Sequence, residues 1–147
     1  MSKEMRIVLT SDTHRGFSNK THRIHEQFAE RLANENADVY VFAGDLGLNR
    51  KEHFRKSLEF FRSALGSKPI LLVRGNHDFQ DCTFNFHSYH WRIFQKSFRA
   101  MLQQQAEWFQ EFDIHHLQDN SLQFGDHLFV GWDGWYGTAE RDLDKRR

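Results

Sequence analysis

Three short apolar runs punctuate the first half of the chain, and each breaks off into polar residues. "MRIVLTS" (5–11), "DVYVFA" (38–43) and "PILLV" (69–73) are rich in β-branched and aromatic side chains and too short for helices, so they predict three strands. Between them the period changes. In "THRIHEQFAERLANEN" (21–36), Ile24, Phe28 and Leu32 recur every four residues and predict a helix with those three on one face. Residues 50–65 carry Phe54, Leu58, Phe61 and Leu65 at helical spacing. Asn49 with Glu52 reads as a capping box at that helix's start, Gly66 as its stop, and Pro69 returns the chain to extended backbone.

The second half continues less regularly. An aromatic and polar loop, 79–90, has no period. Residues 91–112 place Phe94, Phe98, Met101, Leu102, Trp108, Phe109 and Phe112 on one side and predict a long helix. "IHHLQ" from residue 114 predicts a short surface strand. "SLQFGDHLFVGW" (121–132) alternates apolar residues around Gly125 and Asp126, which predicts a hairpin. The order is strand, helix, strand, helix, strand, long helix, short strand, hairpin. Such alternation predicts an α/β fold whose first three strands run parallel through right-handed crossovers.

Composition narrows this further. The 147 residues fit a single domain with a core of useful size, without linker, repeat or low-complexity run. Lys and Arg number 20 and Asp and Glu 20, which excludes reliance on bulk charge to hold nucleic acid. The single cysteine, Cys82, excludes an intrachain disulfide and a cysteine zinc cluster and fits a reducing cytoplasm, the compartment expected. No run has transmembrane length, and "IVLT" is too short for a signal-peptide core, so no membrane is expected as a partner.

The chemistry is concentrated where the strands end. Asp12 and His14 follow the first strand, Asp45 the second, and Asn76, His77 and Asp78 the third. Asp12, Asp45 and Asn76 are 33 and 31 residues apart, close to the ~30 residues of a strand–helix–strand unit. Parallel strands would deliver all of them to one carboxyl edge, where open α/β sheets place ligands. Taken singly, each has a plain reading as a turn or cap residue. Taken together at unit spacing, separate turns do not account for them. Carboxylates packed at one edge repel, and a divalent cation removes the conflict. Mixed oxygen and imidazole donors suit Mn, Fe or Zn better than Ca. Asp45, lying centrally, is the carboxylate placed to bridge two ions, and two-metal sites activate water for in-line displacement. His77 is a candidate general acid or stabiliser of a phosphoryl oxygen, with Asp78 orienting its ring.

"DTH" (12–14), "GD" (44–45) and "GNHD" (75–78), in that order, resemble the D-x-H, G-D, G-N-H-[DE] motifs of the calcineurin-like metallophosphoesterases. "GDHLFVGWDGWYG" (125–137) resembles the hairpin that follows in such proteins. The resemblance implies a two-sheet β-sandwich flanked by helices, of which this chain would be the N-terminal portion. It implies hydrolysis of phosphomonoesters or phosphodiesters by a dinuclear centre. In that centre Asp12 and His14 hold one metal, Asp45 bridges, Asn76 holds the second, and His77 is the acid. It also implies a later His and a G-H-x-H motif, which are not found before Arg147; His115, His116 and His127 sit in other contexts, and His87 and His90 flank the long helix as exposed residues. The single domain, 1–147, is therefore expected to be incomplete at its C-terminus, with apolar surface for a second copy or a protein partner to cover. A non-catalytic scaffold on the same fold, like the retromer subunit of that superfamily, or an inactive fragment is the alternative. The intact Asp12, His14, Asp45 and His77 favour the enzyme. A nucleotide-binding domain is disfavoured, because "SDTHRG" offers Gly16 where a glycine-rich fingerprint is needed. Nucleic acid enters only as a possible substrate.

Overall fold

The three apolar runs form strands β1 (Ile7–Thr10), β2 (Val39–Ala43) and β3 (Ile70–Val73), and β4 (Ile114–His116) joins them. In the computed structural model all four run parallel in the order β1-β2-β3-β4, with Ile7 paired to Val39, Tyr40 to Ile70, and Ile70 to Ile114. The structure describes residues 4–16, 19–47, 51–82 and 91–133. Helices α1 (Asn19–Asn34), α2 (Lys51–Leu65) and α3 (Trp91–Glu111) lie between the strands, and a 3-10 helix, Asn76–Cys82, follows β3. A separate antiparallel pair, β5 (Leu122–Phe124) and β6 (His127–Phe129), is the expected hairpin.

The two-residue period of the strands sorts their side chains into two layers. Tyr40, Phe42, Ile70, Leu72 and Ile114 pack with Leu32, Phe54, Leu58, Phe61, Trp108 and Phe109 of the helices. Their alternates Val39, Val41, Leu71 and Val73 pack with Leu117 and with Leu122, Phe124 and Phe129 of the hairpin. Helices therefore cover one face of the sheet and the hairpin part of the other. This is why β2 and β3 read as unbroken apolar runs: a strand covered on both faces has no solvent side to mark with polar residues. The Tyr40 hydroxyl, buried in the helix-side layer, donates to the Leu32 carbonyl at 2.8 Å and accepts the Ala37 amide at 3.1 Å. It so satisfies the turn that brings α1 into β2.

One predicted face is buried only in part, and one expectation is corrected. Ile24 is 63% exposed. The helical period identifies residues sharing a face, but α1 docks through Phe28, Ala29 and Leu32, and Ile24 lies a turn beyond that contact. His116, expected on a surface strand, is buried, because α3 crosses β4 and stacks Phe109 on its ring at 4.9 Å. Asn49, His87 and His90 lie outside the described residues, as does the side chain of Phe94. Ile7 and Leu9 on β1, and Leu128, Val130 and Trp132 along the hairpin strand and its continuation, are exposed. No helix among the described residues is long and apolar enough to cross a membrane.

Candidate metal centre

The tips of β1, β2 and β3 are bonded to one another beyond the strands proper. The Asp12, His14 and Arg15 amides donate to the carbonyls of Gly44, Asp45 and Leu46 at 3.1, 2.9 and 2.8 Å. The Thr13 hydroxyl adds a bond to the Leu46 carbonyl at 3.0 Å. Behind this loop, the Thr13 carbonyl lies 2.7 Å from Nε2 of His25 on α1. A carbonyl only accepts, so that nitrogen carries the proton. On its other side, loop 44–47 turns its amides to a single carboxylate. Asp45, Leu46 and Gly47 donate to Asp78 at 2.9, 3.1 and 3.3 Å, and Gly75 donates to it at 2.9 Å. The loop bearing Asp45 is held by its carbonyls to the His14 loop and by its amides to Asp78.

Two glycines make this approach possible. A Cβ on Gly44, which has φ +88°, would lie 2.6 Å from the Gly75 amide nitrogen. A Cβ on Gly75 would lie 2.1 Å from Oδ1 of Asp45. The glycines of "GD" and "GNHD" are thus the points where β2 and β3 pass too closely for a side chain.

The result is a cluster of donors. His14, Asp45 and His77 each offer a ligand atom, and these atoms lie within 4.8 Å of one another. The His14 and His77 rings meet edge to face, 4.6 Å between centroids at 81°. Nε2 of His14 is 3.6 Å from Oδ1 of Asp12, whose side chain is largely exposed. Oδ1 of Asp45 accepts the His77 amide at 2.8 Å. Asn76, half-buried, opens the 3-10 helix beside His77. Three observations fit this cluster to a divalent cation. Nδ1 of His14 is buried and has no hydrogen-bond partner. The donors are the mixture of carboxylate and imidazole that transition metals favour. Asp12, His14 and Asp45 all sit in the left-handed region, at φ 56°, 43° and 55°; Asn36 and Asp113 adopt it too in turns elsewhere, but three such residues, each costing roughly 1–2 kcal/mol, are gathered at this one cluster.

Of the six site residues expected from sequence, the structure draws His14, Asp45 and His77 into one cluster, with Asp12 against His14 and Asn76 next to His77 in the chain. Asp78 has a different surrounding. Its two oxygens receive four backbone amides, so its hydrogen bonds hold the loop 44–47 and the turn at Gly75, where the sequence reading had it orienting the His77 ring. Burial pushes the Asp78 carboxyl up to about 7, against the pull of the Gly75, Gly47 and Asp45 amides and with the Asp45 charge adding to the rise. All four neighbours are donors, a set that only the ionised form satisfies in full.

A second polar cluster, marked by no sequence motif, surrounds Asp133. Arg74, the residue before "GNHD", donates through its amide and Nε to Asp133 at 2.6 and 2.8 Å. Nε2 of His116 lies 2.9 and 3.1 Å from the two Asp133 oxygens, and its Nδ1 is 2.9 Å from Asp119. Asp133 reaches this position because the chain passes so near the sheet at Gly131 that a Cβ there would meet Leu117 and Val73 within 2.6 Å. Burial alone would raise the Asp133 carboxyl; the His116 hydrogen bond and the Arg74 charge outweigh it and hold the group below its ordinary value. A depressed folded-state value means that this stabilisation is complete above the unfolded carboxylate value, near ~4, and is lost as pH falls through the folded one. Asp133→Asn is therefore expected to cost roughly 2–3 kcal/mol at neutral pH. The gap to wild type should close below pH ~4, read from urea midpoints of both proteins at neutral and acid pH. A gap independent of pH would show that the charge of Asp133 contributes nothing.

A family model, described as calcineurin-like phosphoesterase, matches residues 5–145. No curated protein and no solved structure matches the chain.

Proposed function

Because the chain belongs to the calcineurin-like phosphoesterase family, we propose that it is a metal-dependent hydrolase of phosphomonoesters or phosphodiesters with a dinuclear centre. The observation that supports this most directly is the meeting of His14, Asp45 and His77 donor atoms within 4.8 Å at the carboxyl edge of a parallel sheet. In this reading Asp12 and His14 would hold one ion, Asn76 the second, and Asp45 would be shared between them, with Mn, Fe or Zn as the metal. Bound there, such ions supply Lewis acidity and an acidified water.

The protein's own part is placement and proton transfer. The zipped tips 12–15 and 44–46 hold the donors in fixed relation, so little reorganisation is needed when substrate arrives. His77 is anchored by its amide on Asp45, and its ring, edge-on to that of His14, is the group assigned to protonate the leaving oxygen or to stabilise a phosphoryl oxygen. Asp78 acts through the loops it holds. The single cysteine, which leaves no intrachain disulfide to form, supports a cytoplasmic setting.

The test is metal content of the purified chain, together with hydrolysis of p-nitrophenyl phosphate and its bis ester in Mn. Two ions per chain with turnover is the expected result. A chain that takes up no metal and turns over neither ester overturns the reading in favour of a scaffold or an inactive fragment. His77→Ala separates acid from ligand: it should keep its metal content while kcat falls by about 10²–10⁴. Loss of an ion in that variant would reassign His77 as a ligand.

A further inference from the structure

The inward stripe of α3 contains Met101, Trp108 and Phe109, and Gln105 lies on it at 1% exposure. A primary amide buried among aromatic and aliphatic side chains is costly unless both its ends are bonded. Both are. Oε1 accepts Nη1 of Arg74 at 3.0 Å, and Nε2 donates to the carbonyl of Asp78 at 2.8 Å. The amide has one possible orientation, because a guanidinium only donates and a carbonyl only accepts. Packing alone does not call for it, since Met has nearly the same volume and shape without the polar atoms.

What Gln105 bonds is more informative than that it is bonded. Arg74 and Asp78 bracket Gly75, Asn76 and His77, so one side chain grips both ends of the turn that carries two candidate site residues. Asp78 in turn holds the amides of loop 44–47, and with them Asp45. Arg74 is already paired with Asp133 through both its amide and its Nε. The bond to Gln105 therefore adds α3 to an ion pair that exists without it. We propose that Gln105 is a positioning residue for the metal centre, setting the "GNHD" turn against loop 44–47 from the far side of the site. This rests on the metal-dependent reading above.

Two variants test it. Gln105→Met removes both bonds at constant volume. Gln105→Glu keeps the acceptor facing Arg74 and loses the donor to Asp78. The readouts are amide hydrogen exchange at Asp45, Leu46, Gly47 and His77 compared with β2 and β3, and Mn affinity by calorimetry. The expected result is exchange about tenfold or more faster at those four amides with the strands unchanged. Mn affinity should be about tenfold weaker, the low end of what losing a direct partner of a ligand costs, because Gln105 acts through Arg74 and Asp78. A purely structural role would lower the melting temperature and speed exchange uniformly while leaving Mn affinity near wild type. That outcome, or exchange unchanged at the four amides, overturns the proposal. If the Met variant does not fold, the Glu variant decides. If neither folds, Gln105 is a determinant of the fold itself and the positioning role is overturned. If the wild-type chain binds no Mn, the metal reading fails on its own account, and the exchange pattern still decides whether Gln105 places the turn.

Discussion

Replacing Asp78 by Ala is expected to destabilise the protein by ~3 kcal/mol or more and to abolish metal binding. Asp78 is 4% exposed, and its two oxygens accept the amides of Asp45, Leu46, Gly47 and Gly75. Ala leaves those four donors facing an apolar side chain. An orphaned buried donor costs about 1–3 kcal/mol, and the loop can recover some of that by admitting water. Two effects compete. The carboxylate bears its own burial penalty, visible in its rise to about 7, and Ala removes it. The four lost acceptor contacts outweigh that gain, because Leu46 and Gly47 are themselves buried and cannot turn to solvent without opening the loop. Asp78→Asn is expected to be nearly as damaging: it keeps the shape but sets an NH₂ against amide hydrogens where the second oxygen stood. Urea denaturation followed by circular dichroism, with metal content of the folded fraction, measures both effects. A variant within ~1 kcal/mol of wild type that still binds metal would show that loop 44–47 is held without this carboxylate.

This keystone position was only half visible beforehand. "GNHD" marks where the third strand ends, and unit spacing brings Asp12, Asp45 and Asn76 to one edge. Both are local features, set by period and chain length. Which of two adjacent residues faces the donors and which faces the backbone is decided by the 3-10 turn Asn76–Cys82, and no period encodes that. So His77 joined the donor cluster while Asp78 went to the amides. The network of Arg74, Gln105, His116 and Asp133 was illegible for a different reason: its members come from the end of β3, from α3, from β4 and from beyond β6, and they meet only in the folded chain. Two signals were nonetheless available. Gln105 interrupts an apolar helical stripe between Met101 and Phe109, and Arg74 follows directly on a buried strand. A polar side chain at an inward position implies a partner, although the sequence does not say which. Ile24 illustrates the opposite limit. Its spacing from Phe28 is that of a shared face, but spacing carries no information on where the neighbouring surface ends.

The second large effect is expected from the smallest substitution. In Gly75→Ala the new methyl would stand 2.1 Å from Oδ1, 2.6 Å from Cγ and 2.6 Å from the amide nitrogen of Asp45. Gly75 is not in the left-handed region, so its own backbone accepts alanine and the whole effect comes from contact. The Asp45 side chain can rotate away, but its amide nitrogen is tied to Asp78 and cannot. Both ways of relieving the clash damage the site: rotation breaks the bond from the His77 amide to Oδ1, and displacement of the backbone pulls Asp45 from His14. Overpacking of this size typically costs about 1–3 kcal/mol. Misplacing a reacting group by about 1 Å can cost ~100-fold in rate, so turnover is expected to fall by at least that factor, with metal affinity falling alongside it. Gly44→Ala is a poorer probe, because φ +88° adds backbone strain to the contact with Gly75. Gly66→Ala is the control: its φ of +61° adds backbone strain that Gly75→Ala lacks, but a Cβ there meets nothing within 4 Å, and it lies past the end of α2, away from the strand tips. It should lose about 1 kcal/mol of stability and leave metal affinity untouched. If Gly75→Ala and Gly66→Ala behave alike in Mn titration calorimetry, the close passage of β2 and β3 does not govern the metal site.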